Sequence, residues 1–174
     1  MADEPVTTME QMVSLEYKVY STPLQRSYGR ALREGRITGH KCPECSLVYS
    51  PPTGFCSICV VPTSEQHEVE IADRGTITSF TIVDPIQYRG QEEREVYALA
   101  SILLDGASGS IGQQRIGDVA PDEVRMGMRV EAAWLPEEER KGGAAQAALG
   151  GAIRHWRPNG EPDRPLEEFA EHII

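Results

Sequence analysis

The apolar positions of this chain begin with a period of two. In 12-MVSLEYKVY-20, Val13, Leu15, Tyr17 and Val19 alternate with Ser14, Glu16 and Lys18, the pattern of a strand with one buried face. The period then lengthens. In 22-TPLQRSYGRALREG-35, Leu24, Tyr28, Ala31 and Leu32 fall at i, i+4, i+7 and i+8, one face of a helix. Thr22 and Gln25 form a capping box, Pro23 takes the first helical position, and Gly35 stops the helix. That face either packs on its own domain or docks on a partner. After a cysteine-rich segment and a linker over 62–67, period two returns. Strands are predicted in 75–84, 95–105, 110–119, 128–136 and 152–158, with a short helical turn or tight loop at 121–127 between the third and fourth.

Five strands with a small helical piece between the third and fourth match the order of an OB-fold barrel. Its alternating faces are expected to bury Ile77, Phe80, Ile82, Leu99, Ile102 and Val130. The segment 137–151, a charged run followed by Gly and Ala, reads as a long mobile loop between the last two strands. Past Pro158, a proline-rich turn leads to a short amphipathic helix carrying Leu166, Phe169 and Ile173. The predicted architecture is mainly β. An N-terminal strand and helix (1–36) precede a rubredoxin-like four-cysteine zinc ribbon (37–66), a five-stranded OB-fold barrel (67–158) and a tail (159–174).

All four cysteines lie in 42-CPECSLVYSPPTGFCSIC-59. Two Cys-x-x-Cys turns bring Cys42, Cys45, Cys56 and Cys59 to one tetrahedral all-sulfur set, a geometry that zinc or a single iron accepts. A redox Cys-x-x-Cys opens a helix in a βαβ unit, which a proline-rich loop does not supply. A disulfide pairing is the remaining alternative. A closed four-thiolate site leaves no position for water, so the metal it implies is structural. His40, two residues before the ribbon, reads either as a solvated loop histidine or as a group behind a metal ligand.

Charge and missing motifs narrow the function. The net charge is −10, and lysine occurs only at 18, 41 and 141. From Cys42 to Gly112, ten acidic residues face Arg74, Arg89, Arg94 and His67. No basic stripe exists to follow a phosphate backbone, so a nucleic-acid partner is not expected. The acidic N-terminus lacks the features of a signal peptide, and no apolar run reaches membrane-spanning length; the expected location is the cytoplasm, with no membrane partner. Neither a nucleophile elbow nor a phosphate-binding loop is present, since the SGSIG at 108–112 has no strand-to-helix context. The catalytic assignment from sequence is none.

The order helix, four-cysteine ribbon, glycine-initiated strand and small barrel resembles the domain-of-unknown-function family thirty-five. The likeness is carried by ALREGRITGHKCPECSLVYSPPTGFCSIC (31–59), ADRGTITSFTIV (72–83) and MGMRVEAAW (126–134), and covers about 22–158. The tail WRPNGEPDRPLEEFAEHI is similar to that of members found beside thiolase or lipid-transfer-protein genes. The chain departs from the family in two places. Ser46 and Val60 stand where such ribbons carry glycine, and His67–Ile71 replaces the aromatic before the first barrel strand.

The resemblance implies a non-catalytic accessory subunit, in a hetero-oligomer with a thiolase-like or lipid-transfer-protein-type aldolase acting on acyl-CoA, in steroid or lipid catabolism. It implies structural Zn2+ on Cys42, Cys45, Cys56 and Cys59, and acyl-CoA at the interface of the complex. Leu24, Tyr28 and Leu32 on the helix, with Leu15 and Tyr17 on the N-terminal strand, become candidate docking residues. The 137–151 loop would cover an acyl-CoA entrance. A free-standing acyl-CoA binder, an iron electron carrier and a single-stranded nucleic-acid module stacking bases on Phe80, Tyr88 and Tyr97 are the other classes.

Overall fold

Thr22 and Gln25 open helix α1 (Pro23–Arg33) as their spacing predicts. The Gln25 amide donates to Thr22 Oγ1 at 3.2 Å, and the Thr22 amide donates to Gln25 Oε1 at 2.8 Å. At the other end Gly35 adopts φ +78°, and two amides close the helix: Gly35 N–H to the Leu32 carbonyl and Arg36 N–H to the Ala31 carbonyl. This Schellman ending needs a left-handed residue, which glycine supplies without a Cβ clash. The computed structural model describes residues 13–16, 22–85, 95–140 and 151–173. Of the predicted N-terminal strand, 13–16 is exposed and outside any strand, while Tyr17 and Val19 lie outside the described residues.

Two sheets follow. The first has three strands in the order β2-β1-β3: β1 (Ile37–Lys41), β2 (Val48–Tyr49) and β3 (Glu68–Ile71), all antiparallel. The linker expected over 62–67 contains a 3-10 turn at Glu65–His67, which delivers β3 to β1 in the register Ile37↔Ile71. The second sheet is a closed barrel, β4-β5-β6-β8-β7, built from β4 (Arg74–Val83), β5 (Tyr97–Leu104), β6 (Ser110–Ile116), β7 (Arg129–Trp134) and β8 (Ile153–Pro158). Every barrel pair is antiparallel except β6 with β8, which meet in parallel at Ile116↔Trp156. That order is the five-stranded Greek-key OB fold. The piece between β6 and β7 is a 3-10 turn, Pro121–Glu123.

One apolar core serves both sheets. Tyr28 and Leu32 from α1, with Ile37 and Ile71 from the first sheet, join the same cluster as Ile77, Ile102, Leu104, Ile111, Val130 and Trp156 of the barrel. Three expected core residues differ. Leu99 pairs with Thr81 and Arg115 on the outer face of β5, because Ala98, Ala100, Ile102 and Leu104 hold the inner one. A bulge between Ile77 and Ser79 shifts the phase of β4, so Phe80 and Ile82 share a face with Ala100 and Ala98. They nevertheless remain 39% and 47% exposed, on the stretch of β4 that lies past its last pairing with β7 at Thr76.

The loop expected over 137–151 begins with a 3-10 turn at Glu137–Glu139, and 141–150 lies outside the described residues. In place of the predicted terminal helix there are two 3-10 turns, Leu166–Glu168 and Ala170–His172. Of its three apolar residues only Phe169 is buried.

Candidate metal centre and its surroundings

Each Cys-x-x-Cys pair forms a knuckle, and the two use the same hydrogen bonds. In the first, Cys42 N–H donates to the Leu47 carbonyl at 2.8 Å, Ser46 N–H to the Cys42 carbonyl at 3.0 Å, and Cys45 N–H to Cys42 Sγ at 3.5 Å. In the second, Cys56 N–H donates to the Val61 carbonyl at 2.8 Å, Val60 N–H to the Cys56 carbonyl at 2.9 Å, and Cys59 N–H to Cys56 Sγ at 3.4 Å. The turn demands a left-handed residue after each second cysteine: Ser46 has φ +63° and Val60 φ +56°. These are the two positions where the sequence departs from glycine.

The knuckles bring all four Sγ atoms within 4.8 Å of one another, with Cys45 and Cys56 at 3.6 Å. A tetrahedron of thiolates around a cation with bonds of about 2.3 Å has edges of about 3.8 Å, so the cage is sized for one such ion. Cys42 and Cys56 are buried, Cys59 is half-buried and Cys45 is exposed. The backbone N–H of Cys59 and then the Tyr49 hydroxyl, 3.4 Å from its sulfur, bring the Cys56 thiol down to about 6. The Cys45 thiol and burial push Cys59 up to about 12. Four thiols this close do not all ionise by themselves; a central cation supplies the missing charge. The four cysteines therefore form a four-thiolate cluster suited to hold a metal ion.

The docking candidates divide. Tyr28 and Leu32 are buried in the chain's own core, which also raises the Tyr28 hydroxyl to about 12. Leu24 is half-buried at the start of α1, against the second knuckle: a Cβ built on Gly54 would stand 3.3 Å from its Cδ2. Leu15 is exposed, and Tyr17 and Tyr88 lie outside the described residues.

His40 is not a solvated loop residue. It lies buried on β1, with Nδ1 3.1 Å from Thr63 Oγ1, and desolvation lowers its pKa. His67 caps a turn with Ser64, and His155 Nε2 is 3.1 Å from Asp118. None of these three contacts joins a nucleophile, a base and an orienting acid.

Sequence patterning did not reveal the clasp around Arg129. This buried guanidinium donates to both Asp105 oxygens at 2.8 and 2.5 Å, to Glu161 at 2.8 Å and to Thr76 Oγ1 at 2.9 Å. Asp105 and Glu161 are both held below their ordinary values, chiefly by hydrogen bonds from Arg129. A neighbouring cleft of about 650 Å³ is lined by Asp122, Glu123, Met128, Glu161 and the bidentate pair Arg125–Asp163. An arginine on a period-two strand reads as solvent-facing, so only its distant acidic partners could have marked it.

Fold and cysteine geometry together define an OB-fold protein with a four-cysteine, zinc-ribbon-like module. A DUF35 domain-containing scaffold protein of Pyrococcus furiosus is 34% identical over 112 residues, spanning 63% of this chain and 77% of the relative. The chain belongs to the DUF35 family. A second scaffold protein of that description, from Methanocaldococcus jannaschii, is 26% identical over 122 residues, covering 70% of this chain and 84% of the relative. The family model for the C-terminal OB-fold domain of ChsH2 matches residues 68–135.

Two solved structures share the fold. A chain of the Ltp2-ChsH2(DUF35) aldolase has a TM-score of 0.56 at 19% identity, covering 81% of this chain and 98% of its own. A DUF35-family protein of unknown function from Sulfolobus solfataricus has a TM-score of 0.56 at 18% identity, covering 80% and 88%. Among the described residues no helix is long and apolar enough to cross a membrane.

Proposed function

We infer that this chain is a non-catalytic accessory subunit that binds and supports a thiolase-superfamily enzyme, a thiolase or lipid-transfer-protein-type aldolase acting on acyl-CoA in steroid or lipid catabolism. The reading rests on the sequence match to relatives described as scaffold proteins and on the fold shared with a chain of an aldolase. Zn2+ on Cys42, Cys45, Cys56 and Cys59 holds the ribbon, and its chemistry there is structural, because four thiolates leave no open coordination position. Tyr28 and Leu32 seat α1 on the core, leaving Leu24, with Leu15 and Tyr17 before the helix, to reach the partner. Phe80 and Ile82, exposed on β4 past its pairing with β7, offer apolar surface for an acyl-CoA route.

Co-expression with a thiolase-fold enzyme from the same gene neighbourhood tests this reading. Co-purification in fixed stoichiometry and a rise in the enzyme's activity are expected. Separate elution with unchanged activity would reject it.

A further inference from the structure

The second knuckle has a sulfur contact that the first lacks. The Tyr49 hydroxyl lies 3.4 Å from Cys56 Sγ and 3.2 Å from Ser57 Oγ. Among the described residues no hydroxyl reaches Cys42, which holds the matching place in the first knuckle. Proton count fixes the direction of both contacts. A metal-bound cysteine is a thiolate, which accepts hydrogen bonds and has no proton to donate. The Tyr49 O–H therefore donates to Cys56 Sγ. Its one proton is then committed, so the Ser57 hydroxyl donates to the Tyr49 oxygen.

The sheet places this hydroxyl. Tyr49 on β2 pairs with His40 on β1, and a Cβ on Gly39 would stand 2.6 Å from the Tyr49 carbonyl oxygen. Glycine at 39 thus lets β2 lie tight against β1. The first knuckle is built into that sheet, running from the end of β1 to the start of β2, whereas the second lies between β2 and β3. Tyr49 is a side chain of the sheet that reaches the buried sulfur of the far knuckle. The contact also has an electrostatic use. Four thiolates around a divalent ion leave two negative charges in excess, and a donated O–H offsets part of that excess at one sulfur.

We propose that Tyr49 is a positioning residue of the metal centre: its hydroxyl, backed by Ser57, holds the Cys56 thiolate on the ion and draws charge from that sulfur. The assignment deepens the structural-zinc reading and rests on it. Donors behind metal ligands tune the ligands' electron donation and help to retain the metal.

The test loads the full chain with Co2+, whose thiolate charge-transfer band reports how strongly the sulfurs donate, and separately with Zn2+ in competition with a chelating dye. Tyr49→Phe keeps the ring and removes the hydroxyl. It is expected to fold with one metal per chain, to shift the cobalt band to longer wavelength, and to bind Zn2+ at least about tenfold more weakly. Ser57→Ala, at an exposed position, should move both readouts the same way by less. An unmoved band in Tyr49→Phe would overturn the proposal even if zinc binding weakens, because lost packing alone changes affinity without touching the sulfur. Should Tyr49→Phe not fold, an unmoved band in Ser57→Ala would overturn it instead. Failure of the wild-type chain to take up either ion would overturn the zinc reading and the role of Tyr49 together.

Discussion

The two knuckles of the ribbon have one backbone and two surfaces. Each makes the same three hydrogen bonds and places a left-handed residue after its second cysteine. Around the first stand Glu44 and Ser46; around the second stand Phe55, Ile58 and Val60. Metal geometry fixes the backbone and leaves the outward side chains free, so the difference between the knuckles has to answer to something besides the metal. At Ser46 the positive φ falls on a small polar residue. At Val60 it falls on a β-branched one, where it is hardest to accommodate.

The largest effect expected concerns what the knuckles share. Cys42→Ser and Cys56→Ser should each abolish stoichiometric zinc binding, removing binding energy on the order of 10 kcal/mol from the ribbon. Metal content with thermal unfolding checks this; zinc retained in only one variant would break the equivalence of the knuckles.

Acid comes next. Asp105 and Glu161 have folded pKa values below their unfolded ones, so their contribution is present above the ordinary carboxylate range and lost as pH falls through the depressed values. Thiolates need deprotonation, so metal release should precede loss of the barrel as pH is lowered. A zinc-sensitive dye read beside the fluorescence of buried Trp156 resolves the order. Simultaneous loss would mean that ribbon and barrel respond to acid as one unit.

The smallest effect separates the knuckles. Val60→Gly should stabilise the free chain by about 1 kcal/mol and Ser46→Gly by less, since relief of strain is partly offset by the entropy of the unfolded glycine. Equal shifts in midpoint would place the strain of the second knuckle no higher than that of the first.

Local rules made much of this molecule legible. The Thr22–Gln25 box, the glycine stop, the cysteine cage and the five barrel strands each write their signal within a few residues. Where partners are distant the signal fades. β3 has only Val69 and Ile71 as apolar positions and gains its identity from pairing with β1 about thirty residues earlier. Leu99 looks as apolar as its neighbours in YALASILL, and only the register against β4 and β6 places it outside. Burial of His40 depends on Thr63 and the surrounding fold, while burial of Arg129 depends on Asp105 and Glu161 from elsewhere in the chain.

The pairing of β3 with β1 also bears on where the chain can be cut. A fragment spanning 68–135, the stretch matched to the ChsH2 OB-fold domain, would keep β3 and discard β1, the strand it pairs with among the described residues. It would also lack β8, the strand that joins β6 to β7 and closes the barrel. Such a piece would present unpaired backbone along several strands, a template for intermolecular β-pairing and aggregation. Seen this way, β1 covers the edge of β3 and β8 closes the barrel, one from each side of the sequence.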